Sequence, residues 1–190
     1  MTTHSIIEQT FETINFSIHP LKTGEYERCV FAQCIFSNAD LSQMRFTDCE
    51  FHGCDLSNVV VTNTSLCDVR FNDCKLLGVH FERCNAFLIS FSFDKCILNL
   101  SSFYKLKLKK TSFISSTLHE TDFTQADLTG SLFDRCDLAR ARFDGTILEK
   151  ADLRSSYHYS IDPEKNRIKK AKFSSAGIAG LLDKYDIEIE

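Results

Sequence analysis

Residues 121–153 read TDFTQ ADLTG SLFDR CDLAR ARFDG TILEK ADL when divided every five. Phe or Leu fills the third place of every group: Phe123, Leu128, Phe133, Leu138, Phe143, Leu148 and Leu153. Two places earlier stands a compact residue: Thr121, Ala126, Ser131, Cys136, Ala141, Thr146 and Ala151. A strand alternates every second residue and a helix follows a period of about 3.6, so neither explains a large apolar residue every five. A fixed period held over many units is an internal repeat, and it decides the fold before local propensity does.

The register extends in both directions. The group centres alternate Phe and Leu without exception from Phe93 to Leu148. An earlier run has centres at Phe31, Phe36, Leu41, Phe46, Phe51, Leu56, Val61, Leu66, Phe71, Leu76 and Phe81, displaced by two residues. Two inserted residues therefore lie within ERCNAFLISFS, residues 82–92, which reads as a bulge or hinge in a regular stack. Residues 1–24 read as a degenerate first coil or N-terminal cap, interrupted by Pro20. The repeat region covers 25–173, with an irregular loop at 157–167 before Ile168 and Phe173 restore the phase.

Five residues are too few for a helix but suffice for a short extended piece and a corner. Four such pieces closing a square give a twenty-residue coil, with the centre and the compact residue pointing inward. The place two after each centre from Phe36 to Leu76 holds Asn38, Gln43, Asp48, Gly53, Asn58, Asn63, Asp68, Asp73 and Gly78. Asn, Asp and Gly best tolerate the positive φ that a type II turn requires. In the later run the same place holds Lys105, Lys110, Glu120, Arg135 and Arg140, with Gly130 and Gly145 as exceptions, which predicts another turn type there. Eight of the nine cysteines occupy the compact slot, Cys67 being the exception. With no zinc-ligand spacing, they read as small buried apolar groups in a reducing compartment.

The 190 residues suffice for one domain with a sizeable core. No apolar run reaches membrane-spanning length, and the start MTTHSIIEQTFE lacks the basic and apolar regions of a secretory signal, so a cytoplasmic protein is expected. No phosphate-binding Gly-rich loop or G-x-S-x-G elbow occurs, and no enzyme, cofactor or metal is expected. His52, His80 and His119 fall in separate coils at outward places, and His158 lies in the irregular last coil. Residues 174–190, SSAGIAGLLDKYDIEIE, predict a helix capped at Ser174 or Ser175, with Ile178, Leu181, Leu182 and Tyr185 on one face. A short strand at Ile187 and Ile189 follows. The helix either closes its own coil or also joins two rods end to end as a C2 dimer.

The units ADLTG, CDLAR and ADLRS resemble the pentapeptide repeat family, whose consensus is A(D/N)LXX. That resemblance implies an all-β, right-handed quadrilateral β-helix with a C-terminal capping or dimerisation helix. Chain size, the break between two runs and the C-terminal segment look like the topoisomerase-protecting members: Qnr-type proteins and the immunity proteins against microcin B17 and albicidin. FYKLKLKKTSFISSTLHETDF and IDPEKNRIKKAKF look most like the microcin-immunity branch. The resemblance implies a non-enzymatic homodimer, joined through the C-terminus, that imitates duplex DNA and engages DNA gyrase or topoisomerase IV. The large surface loops of many Qnr-type proteins are missing. A generic interaction scaffold with another protein partner is the alternative.

Charge supports DNA mimicry in one half only. Residues 1–90 hold six Lys/Arg against eleven Asp/Glu, and residues 91–190 hold sixteen against fifteen. Asp40, Glu50, Asp55, Asp68 and Asp73 are the candidates for an anionic partner-binding face. Basic clusters at Lys105, Lys107, Lys109 and Lys110 and at Lys165, Arg167, Lys169, Lys170 and Lys172 pair with acids across a dimer joint or contact nucleic acid directly. Asp162 and Glu164 interleave the second cluster and stacking aromatics are scarce, which weighs against direct nucleic-acid binding.

Overall fold

The structure, a computed structural model, describes residues 4–87 and 89–188. Its strands are β1 (Ser5–Ile7), β2 (Thr10–Glu12), β3 (Glu25–Glu27), β4 (Val30–Ala32), β5 (Arg45–Thr47), β6 (Glu50–His52), β7 (Ser65–Cys67), β8 (Val69–Asn72), β9 (Phe91–Asp94), β10 (Ser112–Ile114) and β11 (Leu132–Asp134). Every pairing is parallel and one coil apart: Tyr26 with Phe46, Phe51 with Phe71, Phe113 with Phe133. One sheet runs β1-β3-β5-β7, and the other β2-β4-β6-β8-β9-β10-β11.

Single parallel bridges form the two remaining sides. One column joins Ile35, Asp55, Lys75, Ile97, Thr117 and Asp137; another joins His80, Ser102, Asp122 and Arg142. The molecule is therefore the expected four-sided β-solenoid. The sides follow chain order: the first holds Tyr26, Phe46 and Leu66, and later Leu108, Leu128 and Leu148. The second holds Phe31, Phe51, Phe71, Phe93, Phe113 and Phe133. The third holds Phe36, Leu56, Leu76, Leu98, Leu118 and Leu138, and the fourth Leu41, Val61, Phe81, Phe103, Phe123 and Phe143.

Four sides explain the strict Phe/Leu alternation. In the later run, two opposite sides stack rings and the other two stack leucines. Phe31, Phe51, Phe71, Phe93, Phe113 and Phe133 stack with centroids 4.7–5.3 Å apart. Phe81, Phe103, Phe123 and Phe143 form a second stack at 4.8–5.2 Å. Across the core the two stacks meet edge to face, as Phe123 and Phe133 do at 5.8 Å and 90°. The void beside Leu41, Phe51 and Val61 is about 10 Å³, too small to hold a ligand.

Where the compact residue carries a hydroxyl or thiol, that group also donates a hydrogen bond. Thr64 Oγ1 donates to the Leu41 carbonyl at 2.8 Å, Ser131 Oγ to Leu108 at 2.8 Å and Thr146 Oγ1 to Phe123 at 2.8 Å. Thiols do the same: Cys54 Sγ reaches the Phe31 carbonyl at 3.2 Å and Cys136 Sγ that of Phe113 at 3.3 Å. Each such group donates to the carbonyl of a centre about one coil back; the Leu41, Leu108 and Phe123 carbonyls also accept a turn amide, from Met44, Thr111 and Ala126. All nine cysteines are free, and eight are buried. Burial pushes the Cys136 thiol up to about 11 and those of Cys49 and Cys84 up to about 12, so all three stay protonated at neutral pH.

The corners correct one expectation. Lys105, Lys110, Glu120, Arg135 and Arg140 have φ of 52–62°, the same left-handed conformation as Asn38, Asp48 and Asn58. That conformation costs an ordinary residue about 1–2 kcal/mol. The offset is the inter-coil ladder: Asn38 donates its amide to Ser57 at 2.9 Å, and Lys105 and Glu120 donate theirs to Thr124 and Ala139 at 3.0 Å. The two runs differ instead at the corner between the first and second sides. Before the break, β3 passes directly to β4 and β5 to β6. After it, the Ser131 and Ala151 amides close hydrogen-bonded turns onto Leu128 and Leu148 at 3.0 Å.

The break lies in the segment predicted. Val69 pairs with Phe91 and Phe71 with Phe93, two residues more than the regular spacing. After a 3-10 turn at Phe81–Arg83 the first side bows outward. Its ends are pinned by Asn85 N–H to the Thr64 carbonyl and Ser90 N–H to that of Leu66, both 2.9 Å. Phe87 stands 76% exposed on the bow.

The C-terminal segment is not the α-helix expected. It makes two 3-10 turns, Ile178–Leu181 and Asp183–Tyr185. The first of these starts at Gly177 with no side-chain cap; Ser174 Oγ accepts the Gly177 amide at 3.0 Å in the turn before it. Gly177 and Gly180 lie so close on Tyr159 that a Cβ at either would collide. Ile161 also donates to the Gly180 carbonyl at 2.8 Å. That docking fixes the backbone before an α-helical turn can form. Leu181 packs on the core, Leu182 is half-buried, and Ile178 and Tyr185 are exposed. Ile187 forms no strand; Ile189 and the first three residues of the N-terminal cap lie outside the described residues.

Candidate functional site

A solenoid with a filled core offers function only on its outer surface, so the outward side chains are the candidate site. The five predicted acids do not share one side. Asp68 follows β7 at the corner of the first and second sides, Glu50 lies in β6, and Asp73 follows β8 at the far corner of the second side. Glu50 and Asp68 lie near Arg70, which pairs with Glu50. Asp55 is on the third side, bridged to Lys75, and Asp40 on the fourth, bridged to Val60.

Several of these acids also have structural work. Asp40 Oδ1 accepts the Ser42 amide at 2.9 Å, and Asp55 Oδ1 that of Ser57 at 2.9 Å. Asp122, Asp127, Asp137 and Asp152 repeat the bond to the residue two ahead. This is the Asx-turn, and D-x-S/T in DLS, DFT and DLT is the signal by which sequence reasoning could have found it. The Asp40 carboxyl is held below its ordinary range by hydrogen bonds from Ser42. For Glu50 the cause is hydrogen bonding from Arg70, then from His52. Asp68 Oδ1 accepts from Ser90 Oγ at 2.8 Å and so anchors the outward bow.

Side-chain charge segregates along the first side. Before the break it carries Glu8, Glu25, Glu27, Asp48 and Asp68 with Arg28 and Arg45; after it the same side carries Lys107, Lys109, Lys110, Lys150, Arg167, Lys169 and Lys170 with Asp127 and Glu149. Where the two halves meet, a surface notch of about 310 Å³ is lined by Asp68, Arg70, Ile89, Phe91, Lys107 and Lys110.

Two further groupings were not legible beforehand. His119 and His158 both reach Asp137 on the third side. His158 Nδ1 lies 2.9 Å from Oδ1, and His119 Nε2 lies 2.9 Å from Oδ2 at an ion-pair distance but off line for a hydrogen bond. Burial opposes ionisation of Asp137, yet His119, His158 and the Ala139 amide together hold its carboxyl below the ordinary range. At the C-terminal end, Lys184 bridges Asp162 at 2.9 Å and Glu164 at 2.7 Å, and Tyr185 Oη donates to Glu164 at 3.1 Å. Among the described residues no His/Cys/Asp/Glu cluster could hold a metal, and no helix is long and apolar enough to cross a membrane.

Comparison with known proteins agrees with this architecture. No curated protein sequence matches the chain significantly. Among solved structures, a trypsin-treated variant of QnrB1, a plasmid-mediated fluoroquinolone resistance protein, superposes with a TM-score of 0.63 at 18% identity, covering 99% of this chain and 98% of its own. A second trypsin-treated QnrB1 variant gives 0.61 at 18% identity, with 100% of both chains covered. At that identity the likeness establishes the fold. The family model for the pentapeptide repeat region matches residues 25–92 and 76–153. The repeat register, the four-sided parallel solenoid and this match agree: the chain belongs to the pentapeptide repeat family.

Proposed function

We propose that this chain is a non-enzymatic protein that binds a type II topoisomerase, DNA gyrase or topoisomerase IV, and protects it from an inhibitor. The observation that carries the reading is a rod that superposes end to end on a fluoroquinolone resistance protein, with almost nothing left over on either chain. The acids before the break give that rod an anionic stretch suited to a basic DNA-binding groove. Asp48, Asp68, Glu25 and Glu27 supply it on the first side, and Glu50 and Asp73 extend it around the second. Asp40 and Asp55 contribute at the edges of the contact. The test is gyrase supercoiling with a quinolone, albicidin or microcin B17 present. Added protein restores supercoiling under at least one inhibitor; no restoration under any of them removes the reading.

The C-terminal segment supplies the joint of a homodimer in the same proposal. Ile178 and Tyr185 are each 52% exposed, beside half-buried Leu181 and Leu182. Ile178→Asp, which leaves the core contact of Leu181 intact, converts dimer to monomer by light scattering. An unchanged mass rejects the end-to-end joint.

One observation favours a second reading. Asp40 and Asp55 lie on other sides and are tied into their own turns, as a solvated scaffold surface would be. A generic interaction scaffold predicts that an affinity pull-down returns a partner other than a topoisomerase subunit.

A further inference from the structure

We propose that the first side of the rod, beyond the phase break, binds the phosphodiester backbone of a nucleic-acid duplex without reading its sequence. Parallel bridges stack Lys107, Asp127, Ile147 and Arg167 in one column. Lys109 and Lys169 lie beside it, and Lys110, Lys150 and Lys170 line the adjoining corner at positive φ. Segments far apart in sequence thus make one basic surface.

Both acids on that surface are already engaged. Asp127 accepts the Thr129 amide at 3.1 Å and lies 3.3 Å from Lys109 Nζ, and Glu149 takes Arg167 at 2.6 Å. Asp162 and Glu164, which interrupt the basic run in sequence, are taken up by Lys184. Lys107, Lys110, Lys150, Lys169 and Lys170 are exposed and have no ion-pair partner among the described residues. The excess is local, because the chain as a whole carries a net charge of −4.

Elsewhere on the rod a cation often stacks on an acid one coil away: Arg28 on Glu8, Arg70 on Glu50, Lys75 on Asp55, Arg140 on Glu120, Arg142 on Asp122. Lys150 and Lys170 instead stack like on like, about 4.8 Å apart along the rod. Like charges in register destabilise a sheet, so this surface is held against a cost that an anionic partner would relieve.

The geometry also selects the partner. From the Lys107 row onward this side presents no aromatic ring on which an unpaired base could stack, the exposed Phe87 standing one row earlier on the bow, and this favours a duplex over a single strand. Apart from half-buried Ile147 it offers no apolar anchor for a peptide. From the Lys107 row to the Arg167 row is about 14 Å, the axial length of about four phosphates on one strand. The inference does not rest on topoisomerase binding, and its test contains no topoisomerase.

The experiment is fluorescence anisotropy of the full chain with a labelled DNA duplex of random sequence, the RNA duplex of the same sequence, and a labelled polyglutamate peptide, at 50–200 mM KCl. With five lysines on phosphates, duplex affinity falls about 500-fold over that range, a log–log slope of about −4.5. Lys110→Gln, Lys150→Gln and Lys170→Gln together flatten the slope to about −2. Gln is tolerated at this conformation, as Gln43 and Gln125 show. A control removing the same charge elsewhere, Lys75→Gln, Lys95→Gln and Arg135→Gln, keeps the original slope. Thermal melts establish that both variants are folded. Binding of either duplex supports the proposal, and the tighter one identifies the source of the backbone. Absence of duplex binding at 50 mM KCl, equal loss in both variants, or polyglutamate bound as tightly as the duplexes overturns it.

Discussion

Before the phase break the first side of the rod carries Glu25, Glu27, Asp48 and Asp68; after it the same side carries Lys107, Lys110, Lys150 and Lys170. Behind both surfaces the core is built alike, with centres of one coil stacked on centres of the next. The comparison separates two kinds of constraint. The inside must fill a narrow square tube with large and compact residues in turn, so its pattern persists through a two-residue insertion. The outside is free of that steric rule, so charge there is set independently in the two halves.

If the halves share one core, the largest effects should be equal across the break. Phe51→Ala and Phe123→Ala each remove a fully buried ring from a continuous stack. Each should cost about 3–5 kcal/mol in urea unfolding, the range for a buried Phe. A large loss at one site and a negligible loss at the other would break the equivalence.

The corners sharpen the comparison at a smaller scale. Both halves hold positive φ, but Asn and Asp are common there in the earlier half, whereas Lys, Arg and Glu predominate in the later repeats. Lys105→Asn should stabilise by about 0.5–1 kcal/mol, and Asn58→Lys should destabilise by a similar amount, because Asn bears the left-handed conformation more easily. Equal melting temperatures for all three proteins would show that the ladder bonds alone set the corner energy.

The smallest effect is titratable and belongs to the later half. Hydrogen bonds from Arg154 pull the Asp152 carboxyl down to about 2. A lowered folded value means that this contribution is complete above the unfolded value of about 4 and is lost as pH falls toward 2. Asp152→Asn should therefore be less stable than the parent at pH 7, with the difference closing between about pH 4 and pH 2. A difference independent of pH would assign the loss to packing instead.

The core was legible because one rule repeats at every coil, and Phe93 to Leu148 state it without exception. The assignment of outward residues to sides was not. Asp40 and Asp55 occupy the same place in their five-residue units, yet one is on the fourth side and the other on the third. Only the coil length resolves that, fifteen residues being three sides of a twenty-residue coil. His119 and His158 meet on Asp137 because His158, one residue past the Tyr157 bridge, stands at positive φ and turns out of the place that Leu118 and Leu138 fill with buried side chains, which no five-residue count reveals. The C-terminal segment had the spacing of an amphipathic helix, but spacing carries no information about Tyr159, whose packing against Gly177 and Gly180 dictates the 3-10 turns. The basic surface stayed hidden for a related reason: Asp162 and Glu164 sit beside the lysines in sequence and are bound to Lys184 in space.

The proposed division of the rod into an acidic half that meets a topoisomerase and a basic half that does not is tested most directly by supercoiling with two variants. One carries Glu25→Lys, Glu27→Lys and Asp48→Lys; the other carries Lys110→Gln, Lys150→Gln and Lys170→Gln. With gyrase and the inhibitor that the parent protein counters, the first variant should lose protection and the second should retain it. Protection retained by the first variant and lost by the second would contradict the account.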